Sequence, residues 1–181
     1  MFGNRIGTVL TVAAAIVAVA AIPADAADST VTFATTGGVL SVAVAQSAPL
    51  NTGSATPGTT ISGVLGAVTV TDARGSAEGW AIGVYSTTGF TATGSPAIPN
   101  TGITYIPGAA TGTVAPGTPS ITPGIAGSPG NDRGSARTVY TYVNATAGGN
   151  RVSWQPTLTV AIPGTARPGA LYSAKITYRV M

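Results

Sequence analysis

Along residues 27–181, apolar and polar side chains alternate in short runs bounded by Gly, Pro, Asn, Asp and Ser. Successive strand residues point to opposite faces, so period two predicts half-buried strands. The run Tyr172–Val180 is the clearest. Tyr172, Ala174, Ile176, Tyr178 and Val180 share one face, and Ser173, Lys175, Thr177 and Arg179 share the other. In a second run Val152, Trp154, Pro156, Leu158 and Val160 alternate with Ser153, Gln155, Thr157 and Thr159. Pro156 has no N–H for a ladder, so this strand is expected at an edge or with a bulge. Further strands are predicted at Val31–Ala34, Val39–Ala45, Gly63–Thr71, Gly79–Tyr85, Ile103–Ile106 and Thr138–Val143. No amphipathic helix of useful length interrupts them, and 25 Gly and 13 Pro would keep breaking one. Without crossover helices the pairing is expected to be antiparallel. The expected fold class is all-β: an antiparallel β-sandwich of Ig-like/Greek-key type with about eight strands.

Two segments stand outside that pattern. Residues 1–26 open with Arg5, continue as an apolar run from Ile6 to Ile22, and end in Ala24-Asp25-Ala26. These are the three parts of a secretory signal peptide, so a signal helix with cleavage after Ala26 is expected. The alternative is an uncleaved anchor, because the run approaches the roughly 17–25 residues that span a bilayer. Residues 27–181 then form a single domain. At about 150 residues such a chain buries roughly 68–70% of its unfolded surface and needs no covalent staple. It has none, since cysteine is absent, which suits a bacterial exterior better than an oxidising eukaryotic route. The second segment, Pro107–Gly134, is dense in Pro, Gly, Thr and Ser and lacks alternation. It is expected to be a long flexible loop inserted in the domain, with glycosylation as the functional alternative. Asn144-Ala145-Thr146 is a formal N-glycosylation triplet.

Charge and residue inventory narrow the chemistry. Only 7% of residues are charged, the net charge is +3, and the charges are scattered. A nucleic-acid interface would cluster them, so no nucleic-acid partner is expected. Histidine is absent, which removes the Ser-His-Asp triad and the usual general base. The missing cysteine removes thiol catalysis and thiolate metal sites. Asp72 and Glu78 could form a glycosidase carboxylate pair, but Arg74 lies between them and favours local charge pairing. Ser173 and Lys175 share a strand face as a Ser-Lys dyad would, yet an exposed lysine opposite a core face is ordinary. No glycine-rich loop leads into a helix to cradle a phosphate. The chain is therefore expected to be no enzyme, with no cofactor and no metal. One of its two tryptophans, Trp80, alternates in phase with Ile82 and Val84, which favours core over an exposed binding platform.

The stretch Val68–Phe90, VTVTDARGSAEGWAIGVYSTTGF, resembles the first signature of the WxL domain, a cell-surface domain of Gram-positive bacteria. In that family a strand ending in Asp-x-Arg-Gly leads through a polar turn into Gly-Trp-x-Leu. The matching residues are Asp72, Arg74, Gly75, Gly79 and Trp80, with Ile82 in place of leucine. The C-terminal stretch VAIPGTARPGALYSAKITYRVM is similar to the family's closing stretch through Pro163, Gly169, Tyr172, Ile176 and Thr177. Its second motif reads Tyr178-Arg179-Val180, so Tyr-x-Val stands for Trp-x-Leu. The opening VTFATTGGVLSVAV also fits. The resemblance implies a secreted, cell-wall-associated protein that binds peptidoglycan or another wall polymer non-covalently, sometimes alongside other surface proteins. Trp80, Ile82, Tyr178 and Val180 are the motif positions it offers for wall binding, although their alternation reads as core. No sorting motif, apolar tail or basic terminus follows the last strand, so covalent anchoring is not expected. The alternative role is a self-assembling surface-layer or fibre subunit joined by edge-strand pairing.

Overall fold

The computed structural model describes residues 38–50, 55–143 and 146–181. The expected signal peptide, the strand expected at Val31–Ala34 and the Asn144-Ala145 part of the formal glycosylation triplet lie outside the described residues. Thirteen strands follow one another: β1 (Leu40–Ala43), β2 (Thr60–Val64), β3 (Val68–Asp72), β4 (Trp80–Tyr85), β5 (Phe90–Ala92), β6 (Ser95–Ile98), β7 (Ile103–Ile106), β8 (Ala110–Val114), β9 (Ser120–Pro123), β10 (Arg137–Val143), β11 (Asn150–Trp154), β12 (Thr157–Ala161) and β13 (Thr177–Val180). A single 3-10 turn at Asn100–Gly102 is the only helical element among the described residues. All strand ladders are antiparallel. The protein is all-β.

The strands form sheet I (β1-β3-β11-β8), sheet II (β13-β4-β10-β9), sheet III (β2-β12-β7) and the β5–β6 hairpin. Alternation decides which residues meet. On the inner face of sheet I the rungs are Val68–Trp154, Val70–Val152 and Asp72–Asn150. Sheet II contributes Trp80–Tyr142, Ile82–Tyr140, Ile82–Val180 and Val84–Tyr178. Sheet III contributes Leu158–Tyr105, Val160–Ile103 and Val160–Ile61. Their apolar members form one buried cluster, with Ile61, Tyr178 and Val180 half-buried at its margin. Rings tie the sheets together in a sandwich-like way. Trp154 of sheet I stacks on Tyr140 of sheet II at 4.2 Å, and its indole N–H donates to the Tyr105 hydroxyl of sheet III at 3.4 Å. Burying an apolar side chain of this size contributes about 1.5–3 kcal/mol, so this cluster dominates the stability.

Two predicted strands are each divided. The run from Gly63 to Thr71 becomes the end of β2 and most of β3, and the run from Val152 to Val160 becomes β11 and β12. Both pass from one sheet to another. β3 pairs with β11 in sheet I, while β2 pairs with β12 in sheet III. They are the two legs of one bent ribbon, turned at a corner where Leu65 N–H donates to Pro156 C=O at 2.8 Å. Strands that bend between sheets make such corners in sandwiches. Pro156 thus sits neither on an edge strand nor in a bulge, because it marks the change of sheet. It is buried, in phase with Trp154 and Leu158, so the alternation continues through the bend unbroken.

The stretch 107–134 differs from the expected flexible loop. It holds β8, the edge of sheet I, and β9, the edge of sheet II. Beyond them, Gly127 bridges Tyr105 and Gly130 bridges Tyr85. The missing alternation has a physical cause. All five residues of β8 are exposed, so neither face of that strand is under selection for apolar side chains. The count therefore exceeds the expected eight mainly through divided and exposed strands. At the C-terminus only Thr177–Val180 is ladder, and Tyr172–Ala174 is held to the hairpin through the Thr91–Ser173 bridge.

Candidate functional site

The Asp-x-Arg-Gly…Gly-Trp stretch spans the connection from β3 to β4. Asp72 ends β3 on the inward phase, so its carboxylate enters the core end of sheet I and is 2% exposed. A buried carboxylate requires a partner. Arg74 supplies it from the next turn: Nε donates to Oδ1 and Nη2 to Oδ2, both at 2.9 Å, and its backbone N–H donates to Oδ1 at 3.0 Å. The hydrogen-bonded Arg74 guanidinium, against the opposing effect of burial, holds the Asp72 carboxyl below the usual carboxylate range. Arg74 Nη2 also donates to Gly79 C=O at 3.1 Å, and Nη1 to Glu78 Oε2 at 3.1 Å.

Trp80 closes a ring of bonds. It is 4% exposed, stacks on Tyr142 at 5.2 Å, and donates its indole N–H to Asn150 Oδ1 at 3.0 Å. Asn150 Nδ2 donates in turn to Asp72 Oδ2 at 3.3 Å. The circuit Asp72–Arg74–Gly79–Trp80–Asn150–Asp72 therefore joins β3, β4 and β11. The glycines have separate reasons. Gly75 adopts φ +73°, a turn conformation that disfavours a side chain. Gly79 has no room, since a Cβ there would lie 2.4 Å from Tyr142 C=O.

The second motif lies beside the first. β13 pairs with β4, which sets Val180 opposite Ile82 and Tyr178 opposite Val84. Ile82 is fully buried, and Tyr178 and Val180 are half-buried against the same cluster. The Tyr178 ring meets Tyr105 edge to face at 6.1 Å. Burial, with the neighbouring Tyr105 hydroxyl adding to it, pushes the Tyr178 hydroxyl upward. The motif positions thus lie on the face of sheet II turned to the shared core, Trp80 and Ile82 on central β4 and Tyr178 and Val180 on edge strand β13.

The remaining candidates carry no assembled chemistry. Asp72 and Glu78 are both bonded to Arg74, one buried and one exposed, so neither is poised to exchange a proton with a ligand. Ser173 and Lys175 are exposed and lie outside the ladder of β13. Among the described residues no three His, Cys, Asp or Glu gather into a metal-binding group, and no helix is long and apolar enough to cross a membrane. Asn150, the hinge of the circuit, was not among the sequence candidates. Its signal was a polar residue in phase with Val152 and Trp154, on the inward face.

Comparison with protein-family models, with curated proteins and with solved structures finds no match for this chain.

Proposed function

We propose that this chain is a secreted, non-enzymatic, WxL-like protein of the Gram-positive cell envelope, retained non-covalently on peptidoglycan or another wall polymer. In this reading its fold is an antiparallel β-sandwich of Ig-like/Greek-key type, and other surface proteins are its further partners. One observation carries the proposal. Asp72, Arg74, Gly79 and Trp80, which make the resemblance, form one hydrogen-bonded circuit instead of a chance scatter of letters. Asp72, Trp80 and Asn150 are buried while Arg74 and Gly79 close the circuit on its outer side, so in this reading wall contact falls to exposed surface and the signature acts by building the domain. Incubating the purified secreted protein with washed Gram-positive walls tests this. Co-sedimentation at low salt is expected, and protein left wholly in the supernatant sinks the idea.

A second reading, a self-assembling surface subunit, is favoured by β8. That edge strand is exposed at all five residues. No charged residue occurs between Pro107 and Asn131, and Pro flanks β8 without entering it. Charge and proline are the usual guards of an edge, and both are missing. Sedimentation velocity over a concentration series decides. A strict monomer at the highest concentration ends this reading.

A further inference from the structure

A cavity of about 590 Å³ opens between sheet III, the β5–β6 hairpin and the stretches 44–50 and 166–174. Its size lies within the roughly 300–1,000 Å³ of small-molecule sites. The walls are mainly apolar, with Ile61 and Val160 on sheet III, Phe90 on the hairpin and Leu50 from the 44–50 stretch, and Gln46, Ser47 and Ser173 add polar groups. Open, mostly apolar clefts of this size with a few polar groups are the usual form of small-molecule sites. Leu171 lines the cavity yet is 90% exposed, so apolar surface continues from the interior to solvent.

One charge stands at the mouth of the cavity, on an exposed residue. Among the described residues Arg167 is the only charged one that lines the cavity, where it is exposed at the rim, and no described acid lines it. The ion pairs of the described residues both belong to Arg74, so Arg167 meets no carboxylate there. Its backbone is fixed, since its N–H donates to Ser95 Oγ at 2.9 Å and Ser95 Oγ shares a 2.6 Å hydrogen bond with the Tyr172 hydroxyl. Tyr172 donates onward to Pro96 C=O at 2.7 Å. The rim is thus held by a hydrogen-bonded set and carries a cation that has no carboxylate partner among the described residues, beside a mainly apolar chamber.

We propose that this cavity binds an amphipathic anion, an acyl chain with a carboxylate or phosphate head. The chain lies against Ile61, Phe90 and Val160, and the head pairs with Arg167. This site is separate from the Asp72–Arg74–Trp80–Asn150 circuit, none of whose residues line it, whereas Tyr178 of the C-terminal stretch does.

Calorimetric titration of the full secreted chain with palmitate, with a lysophosphatidate and with the matching uncharged alcohol tests the proposal. Saturable binding of the anions is expected, with the alcohol weaker. The tighter of the two anions identifies the head group. Arg167→Gln should weaken anion binding roughly tenfold and leave the alcohol unchanged, as loss of a charge-assisted contact would. Ala170→Trp lies on the rim outside any strand and should abolish uptake of all three, with wild-type circular dichroism and melting temperature. The proposal is overturned if no ligand saturates the wild type, if Arg167→Gln binds the anions as wild type does, or if a folded Ala170→Trp binds all three unchanged.

Discussion

Asn150 offers the sharpest test of the circuit. Its carboxamide accepts from the buried Trp80 indole and donates to the buried Asp72 carboxylate. Asn150→Ala removes both bonds and leaves the indole N–H without its acceptor. An orphaned buried donor costs about 1–3 kcal/mol, and the long bond to Asp72 adds about 1 kcal/mol. The expected loss is about 2–4 kcal/mol, or a melting temperature lower by roughly 5–15 °C for a domain of this size. Trp80→Phe removes the donor and keeps a ring over Tyr142. In that background Asn150→Ala should cost only the Asp72 bond, so the two changes couple by about 1–3 kcal/mol. Urea unfolding of the four proteins by far-UV circular dichroism measures this. Additivity within about 0.5 kcal/mol would mean that the Trp80–Asn150 bond contributes nothing, and the circuit would fail as an explanation.

Acid should act through Asp72. Its carboxyl is lowered in the fold from an unfolded value near 3.9, so its contribution is present above about pH 4 and is lost as pH falls through the folded value. Wild type and Asp72→Asn should differ in urea stability at pH 6 and converge towards pH 2, and a constant difference would refute the assignment. Alkali should act through Tyr105, Tyr140, Tyr142 and Tyr178, whose hydroxyls burial pushes upward. The unfolded chain ionises these near pH 10, so stability is intact below that pH and is lost above it. Phenolate absorbance from these four should rise together with loss of the near-UV dichroism, and ionisation in a still-folded protein would count against the burial. Gly79→Ala should cost about 2–3 kcal/mol by forcing Cβ onto Tyr142 C=O, whereas Gly75→Ala, with open space around it, should cost about 1 kcal/mol for its positive φ. Thermal melts rank the two, and equal losses would show that the close approach is relieved cheaply.

The strands that read clearly in the sequence are those with one face in the core. β4, β7 and β10 lie within a residue or so of the alternating runs that predicted them. Alternation reports burial and nothing else. It therefore missed β8, which buries neither face, and it ran straight through the corners at Leu65–Ala67 and Gln155–Pro156, where both flanking sheets face the same interior. Pro156 was a visible break, but its neighbours stayed in phase, so the sequence showed an interruption without its direction. The site divides along the same line. Asp72, Arg74 and Trp80 stood out as residue types at a fixed spacing. Asn150 lies 78 residues from its carboxylate partner, and only the β3–β11 register brings the two together. The adjacency of β13 and β4 is likewise a matter of register, which no local pattern specifies.

A sequence holding Asp, Arg and Trp within nine positions invites a surface-binding interpretation, yet the packing demands each of them for an internal reason. β3 runs inward to its last residue, and that residue is an acid. Once its carboxylate is buried, a bidentate cation must follow within the turn, and Arg74 is the residue whose fork fits both oxygens. The guanidinium then has donors to spare, and Gly79 can offer its carbonyl because its missing side chain lets β4 approach β10 closely. Trp80 follows at the first inward position of β4 and must satisfy its own N–H, which Asn150 does. The cluster is chemically complete without a ligand. Tyr178 likewise packs against Tyr105 and Val84, so a change there is to be read first in stability. If the wall reading holds, a folded Trp80→Phe variant retains wall binding. Loss of binding with the fold intact would return the motif to the surface role that its burial argues against.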